Sequence, residues 1–196
     1  MKTACRSVVF SAAILSAAAS LVACDRPTNA SANQAGEKRP TAADLAVHKP
    51  LAALIAEADA LVLYEGLPHQ LWESDLLASE KASKKTVALH DYPFYADAIA
   101  ADGDDAKTLT AILSDAKSLT PYAGPKRCGG FHPDWCLEWQ AGGEKVQCQL
   151  CFGCQEVKFF STKHVLHADL SAAASERLAS VLKDYREQRP QRAREQ

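Results

Sequence analysis

The chain lacks a dominant charge: 22 basic and 24 acidic residues leave a formal net charge of -2. It offers no broad field of one sign to hold phosphates, which argues against a nucleic-acid partner. It also lacks an unbroken apolar run of roughly 20 residues, the length a spanning helix needs. No glycine-rich phosphate loop and no nucleophile elbow occurs. No internal repeat or second break in composition marks another domain. What is present is a hydrophobic share of 47% over 196 residues, enough for one globular domain with one core.

A basic start at Lys2 and Arg6, an apolar run over 7–19 and the tetrapeptide Leu21-Val22-Ala23-Cys24 follow one another at the N-terminus. This order resembles a bacterial lipoprotein signal with its lipobox. The resemblance implies that 1–23 is a removable signal peptide and that Cys24 is acylated and begins the mature chain. The expected place is the bacterial cell envelope, with the protein held by its lipid to a membrane and facing the periplasm. Asp25 resembles the residue that retains enteric lipoproteins in the inner membrane. Residues 24–41 offer no large apolar side chain after Cys24 and read as a flexible tether, because burial cannot offset their ordering entropy. At the other end, 187–196 reads as a basic disordered tail carrying Arg189, Arg192 and Arg194.

Between these ends, 42–186 is expected to fold as a single α+β domain, with a small antiparallel sheet flanked by about three helices. Leu51, Leu54, Ile55 and Ala58 follow helical spacing, as do Leu109, Ile112, Leu113 and Ala116 behind Asp104-Asp105. Leu178, Val181, Leu182 and Tyr185 repeat the stripe after Asp169 and Ser171. Ala60 to Tyr64 and Thr86 to His90 read as short strands ended by turn residues.

The informative region is 128–160. Gly142-Gly143 predicts a hairpin that sets Ala141 opposite Glu144, Leu137 opposite Cys148 and Cys136 opposite Gln149. Alternation then puts Leu137, Trp139, Val146, Cys148 and Leu150 on an apolar face, and Cys136, Gln147, Gln149 and Cys151 on the other. A second turn at Phe152-Gly153 is expected to set Cys151 opposite Cys154, so that Cys136, Cys151 and Cys154 converge. Cys128 and His132, in the glycine-rich loop ahead of this meander, are placed to reach the same cluster.

Of 7 cysteines, Cys5 leaves with the signal and Cys24 carries lipid, so five remain and one must stay unpaired. Cys148, on the apolar face, is the expected buried free thiol. For the other four an oxidising compartment favours structural disulfides, with three pairings open. The alternative is a structural zinc on Cys151, Cys154 and Cys128 with Cys136 or His132. A third reading is thiol–disulfide exchange through Cys151-Phe152-Gly153-Cys154, which strands flank where reactive dithiols favour a helix N-terminus.

Two short matches bring nothing. Cys151-Phe152-Gly153-Cys154 is followed by Gln155 where c-type haem attachment needs histidine. His132-Pro133-Asp134 resembles the J-domain cochaperone tripeptide, but over three residues and without its two flanking helices. Together, Cys128 to Asp134 (CGGFHPD) and Cys151 to Cys154 (CFGC) resemble motifs in uncharacterised exported bacterial proteins, a resemblance that implies no activity. The remaining histidines are scattered, and no catalytic residue and no certain cofactor emerges. The sequence therefore reads as a membrane-anchored envelope lipoprotein, a non-enzymatic binding or structural module with a disulfide- or zinc-stabilised cysteine cluster. The alternative is a periplasmic thiol–disulfide redox protein using Cys151 and Cys154.

Overall fold

Leu51 and Ile55, four positions apart, lie together on the buried face of helix α1 (His48–Ala56) in a computed structural model, which describes residues 44–190. Pro50 falls in the first turn of α1, where its missing N–H has no intrahelical acceptor to lose. The lipobox with Cys24, the signal, the tether and residues 191–196 lie outside the described residues.

Strand β1 (Ala60–Glu65) follows, with Leu61 and Leu63 turned inward. Helix α2 (Ser74–Ser83) buries a single residue, Glu80, so it presents no apolar stripe to the sequence. Strands β2 (Thr86–Leu89) and β3 (Tyr92–Tyr95) pair as a separate hairpin, and β3 is fastened to α2 where the buried Tyr95 hydroxyl donates to Glu80 at 2.7 Å. After the short strand β4 (Ile99–Ala100) comes helix α3 (Gly103–Ser114). Its N-cap, Asp102, accepts from the backbone N–H groups of Asp104 and Asp105 at 3.1 and 2.9 Å. Strands β5 (Leu119–Pro121), β6 (Trp135–Ala141), β7 (Glu144–Cys151), β8 (Glu156–Phe160) and β9 (Val165–Leu170) complete the sheet. Helix α4 (Ala172–Leu182) closes the fold behind the N-cap Ser171.

The fold is α+β, with a wholly antiparallel seven-stranded sheet in the order β4-β1-β6-β7-β8-β9-β5. This sheet is larger than the expected meander, because β1 adds to one side of β6 and β9 to the far side of β8. The apolar faces of α1, α3 and α4 cover one side of it. Trp135, Leu137, Trp139, Val146, Cys148, Leu150 and Phe159 meet them there. Each such large side chain contributes about 1.5–3 kcal/mol on full burial. The β6–β7 register is Ala141↔Glu144, Leu137↔Cys148 and Cys136↔Gln149, the pairing that a Gly142-Gly143 turn dictates. Both glycines adopt positive φ, 54° and 86°, as a two-residue hairpin of primed type requires.

Two expectations need correction. The β7–β8 connection is not a two-residue turn at Phe152-Gly153. Cys151 pairs with Glu156, and Phe152 to Gln155 form a four-residue loop, with Gln155 at φ 54°. Cys154 therefore sits in the loop and not opposite Cys151. Residues 187–190, assigned from sequence to a disordered tail, lie against the domain: the backbone N–H groups of Glu187 and Gln188 donate to the buried Glu65 at 3.2 and 2.8 Å. All described residues belong to one compact unit, and among them no helix is long and apolar enough to cross a membrane.

Candidate functional site

Three loops at one end of the sheet and the C-terminal segment meet around a cleft of about 270 Å³. The first loop leaves β1 through Gly66, whose N–H donates to the Asp134 carbonyl at 2.8 Å. A side chain at Gly66 would run into the Pro133 carbonyl, so glycine is what lets this loop lie flat on the segment before β6. His69 follows. Its backbone N–H donates to Glu73 Oε2 at 2.8 Å, and its Nδ1 accepts from the Leu71 N–H at 3.0 Å. An accepting Nδ1 leaves the neutral ring's proton on Nε2.

The second loop is Cys128 to Asp134. Gly129, at φ 87°, crosses over the His69 ring, where an added Cβ would stand 3.0 Å from Cε1. His132 donates from Nε2 to the Pro68 carbonyl at 3.3 Å, which leaves its ring centroid 4.5 Å from that of His69. Burial is the main cause that holds both imidazoles below their ordinary pKa of 6.5. The charge of Arg189 pushes both the same way, and His69 adds to the effect on His132.

The third loop is Phe152 to Gln155. Asp134 fixes it to the second, accepting from the Phe152 N–H at 2.9 Å, and its other oxygen faces Arg189 Nη1 at 3.3 Å. Arg189 also reaches Glu73 Oε2 at 2.6 Å. One guanidinium thus joins the C-terminal segment to both the first and second loops. Beside the cleft, Leu71 and Trp72 are 59% and 63% exposed, large apolar side chains at a polar rim.

The covalent clamp on this arrangement is a disulfide between Cys128 and Cys154, with a Cα–Cα distance of 5.9 Å and a separation of 26 residues. Closing a loop of that length stabilises by about 3.5 kcal/mol on the chain-entropy estimate. Cys136, Cys148 and Cys151 are free and buried. Cys148 lies in the helix-covered core, as alternation requires, while Cys136 lies on the opposite face of the sheet, fully buried. Cys136 thus shares the face that alternation gives to Cys151, but among the described residues it is not one of the donors grouped with Cys128 and Cys154. Burial raises the pKa of all three free thiols. At Cys151 the backbone N–H groups of His132 and Cys154 oppose that rise, because they stabilise the thiolate.

Behind the disulfide stands a buried polar group. Glu156 accepts from or pairs with His167 Nε2 at 2.9 Å and lies 3.7 Å from Lys126 Nζ. Lys126 also meets Asp169 at 2.7 Å, and Tyr122 stacks on His167 with centroids 3.8 Å apart. The zinc set expected from sequence, with Cys136 or His132 as the fourth ligand, is not assembled. Among the described residues, the donors that come within 4.8 Å of one another are the sulfurs of Cys128 and Cys154 and a carboxylate oxygen of Glu156.

Sequence reading thus found Cys128, His132, Cys151 and Cys154, which all line the cleft, but missed His69, Glu73, Asp134 as an anchor, and Arg189. The Glu65-Gly66-Leu67-Pro68 turn after β1 was the local signal that could have pointed to His69. Of the histidines away from the cleft, His48 lies 2.8 Å from the Leu113 carbonyl, and His90 stacks on Phe160.

No family model and no curated protein matches the chain. A crystal structure of a provisionally named lipoprotein from Clostridium perfringens aligns with 71% of this chain and 93% of its own, at 8% identity and a TM-score of 0.40. A likeness that distant assigns no role.

Proposed function

We propose that the protein is a lipid-anchored envelope lipoprotein whose domain binds a partner without transforming it. The cleft between CGGFHPD, CFGC and the His69 loop is the binding surface in this reading. The observation that carries it is the pairing of Cys154 with Cys128, which leaves Cys151 without a disulfide partner. A thiol–disulfide enzyme built on CFGC needs an accessible thiol with a depressed pKa. Cys151 is 3% exposed, and burial raises its pKa. The exposed Leu71 and Trp72 at the rim supply the kind of apolar contact that binding surfaces use.

The test is dithiothreitol-driven reduction of insulin disulfides by the full-length protein in detergent. No acceleration over the protein-free control is expected, and Cys151→Ser should behave as the parent does. Acceleration that disappears in Cys151→Ser would replace this reading with the redox enzyme.

A further inference from the structure

The sulfurs of Cys128 and Cys154 and a carboxylate oxygen of Glu156 lie within 4.8 Å of one another. We propose that the Cys128–Cys154 disulfide masks a metal site, so that two-electron reduction converts the clamp into a Cys128, Cys154, Glu156 centre for a thiophilic divalent cation such as Zn²⁺.

The geometry suits the ion. A tetrahedral zinc bound at about 2.3 Å to sulfur and about 2.0 Å to oxygen separates its ligand atoms by roughly 3.5–3.8 Å. Glu156 is already inside the wider limit, and the two sulfurs need only part from bonding distance to reach it. A fourth donor faces the same spot: the Gly130 carbonyl oxygen lies 3.7 Å from Cys128 Sγ and 3.5 Å from Cys154 Sγ. It is brought there by the positive φ of Gly129 and Gly130, 87° and 90°. That oxygen or a water fills the remaining corner.

The surroundings are built as metal ligands usually have them. Glu156 is 2% exposed and oriented by His167 Nε2 at 2.9 Å, so its carboxylate is held before any ion arrives. Two thiolates, one carboxylate and a divalent cation sum to one negative charge, and the Lys126 ammonium, 3.7 Å from Glu156 and 2.7 Å from Asp169, lies between the site and that second carboxylate. Thiolate donors select zinc and its softer relatives over magnesium or calcium. Cys128 is half-buried at the cleft, so a reductant can reach the bond.

The chemistry balances with a dithiol as the reductant. One dithiol thiolate attacks a sulfur of the Cys128–Cys154 bond and forms a mixed disulfide. The second dithiol sulfur then displaces the protein thiol, so the dithiol leaves as its cyclic disulfide and both cysteines end as thiols. Zn²⁺ then binds the two sulfurs and releases their two protons. Disulfide and metal exclude each other, because each sulfur has one valence to give. The inference goes beyond the anchored binding reading, which needs only the oxidised form and survives if this site fails.

The experiment titrates the full-length protein in detergent with Zn²⁺ alone, oxidised or reduced by a phosphine that binds zinc poorly. The oxidised protein should bind none stoichiometrically, and the reduced protein one equivalent. Bound Zn²⁺ should slow alkylation of Cys128 and Cys154 at least tenfold, as mapped by mass spectrometry, without protecting Cys136. Cd²⁺ in place of Zn²⁺ should give thiolate charge-transfer absorption that Cys128→Ser diminishes and Cys151→Ser leaves intact. Glu156→Gln should weaken binding at least tenfold. If that variant does not fold, alkylation protection in the parent decides. Reduced protein that binds no metal, or that protects Cys151 in place of Cys128, overturns the proposal.

Discussion

Asp134 Oδ2 accepts a hydrogen bond from the backbone N–H of Phe152 at 2.9 Å, so the CGGFHPD segment holds the CFGC loop by a contact independent of the disulfide. The other carboxylate oxygen pairs with Arg189, which also binds Glu73. Three chain segments depend on one side chain.

Asp134→Ala should therefore destabilise the protein by about 1–3 kcal/mol, since it strips an acceptor from Phe152 N–H and one of two carboxylates from a largely buried guanidinium. The urea midpoint of the oxidised protein measures this. A loss below about 0.5 kcal/mol, the usual size for a surface substitution, contradicts the anchoring role.

Gly66→Ala and Gly103→Ala should part in sign. A Cβ at Gly66 meets the Pro133 carbonyl, a backbone atom that cannot swing aside, and the cost should exceed about 2 kcal/mol. At Gly103, the first residue of α3, nothing lies within 4 Å. Alanine there should be neutral or stabilise by up to about 1 kcal/mol, because it restricts the unfolded chain. Thermal unfolding of the two variants separates the outcomes.

Acidification should weaken the fold through His69 and His132. Both have folded pKa values below the ordinary 6.5, chiefly through burial, so the unfolded chain takes up these protons first. Their contribution is complete above pH 6.5 and is lost as the pH falls from there through the lower folded values. A plot of unfolding free energy against pH should bend downward below about 6.5, and the double variant His69→Gln, His132→Gln should flatten that bend. An unchanged slope in the double variant contradicts the assignment.

In the proposed reading, anchoring rests on Cys24. Cys24→Ser should release the protein from the membrane fraction or leave an uncleaved precursor held by its signal. A variant that is processed and membrane-bound like the parent defeats the lipoprotein reading.

The sequence disclosed the fold where local chemistry was unambiguous. Gly142-Gly143 is a hairpin turn whichever way the rest of the chain runs, so the β6–β7 register and the two faces of the sheet followed from it. Gly153 misled, because it looks like the turn residue of CFGC, whereas the left-handed position in that loop belongs to Gln155. That difference moved Cys154 away from Cys151 and toward Cys128. Helix α2 left no stripe because only Glu80 is buried, and that contact depends on Tyr95, fifteen positions away. Arg189 and Glu156 had no local signal at all. Their roles arise from charges that the topology brings together across 116 residues in one case, and across the β8–β9 ladder in the other.

The most direct measurement is disulfide mapping of the full-length protein, isolated from membranes and denatured in the presence of an alkylating agent without reductant. The account predicts one cross-linked peptide pair joining Cys128 to Cys154, with alkylation at Cys136, Cys148 and Cys151. A Cys151–Cys154 cross-link, or two disulfides that leave Cys148 alone as a thiol, would contradict it.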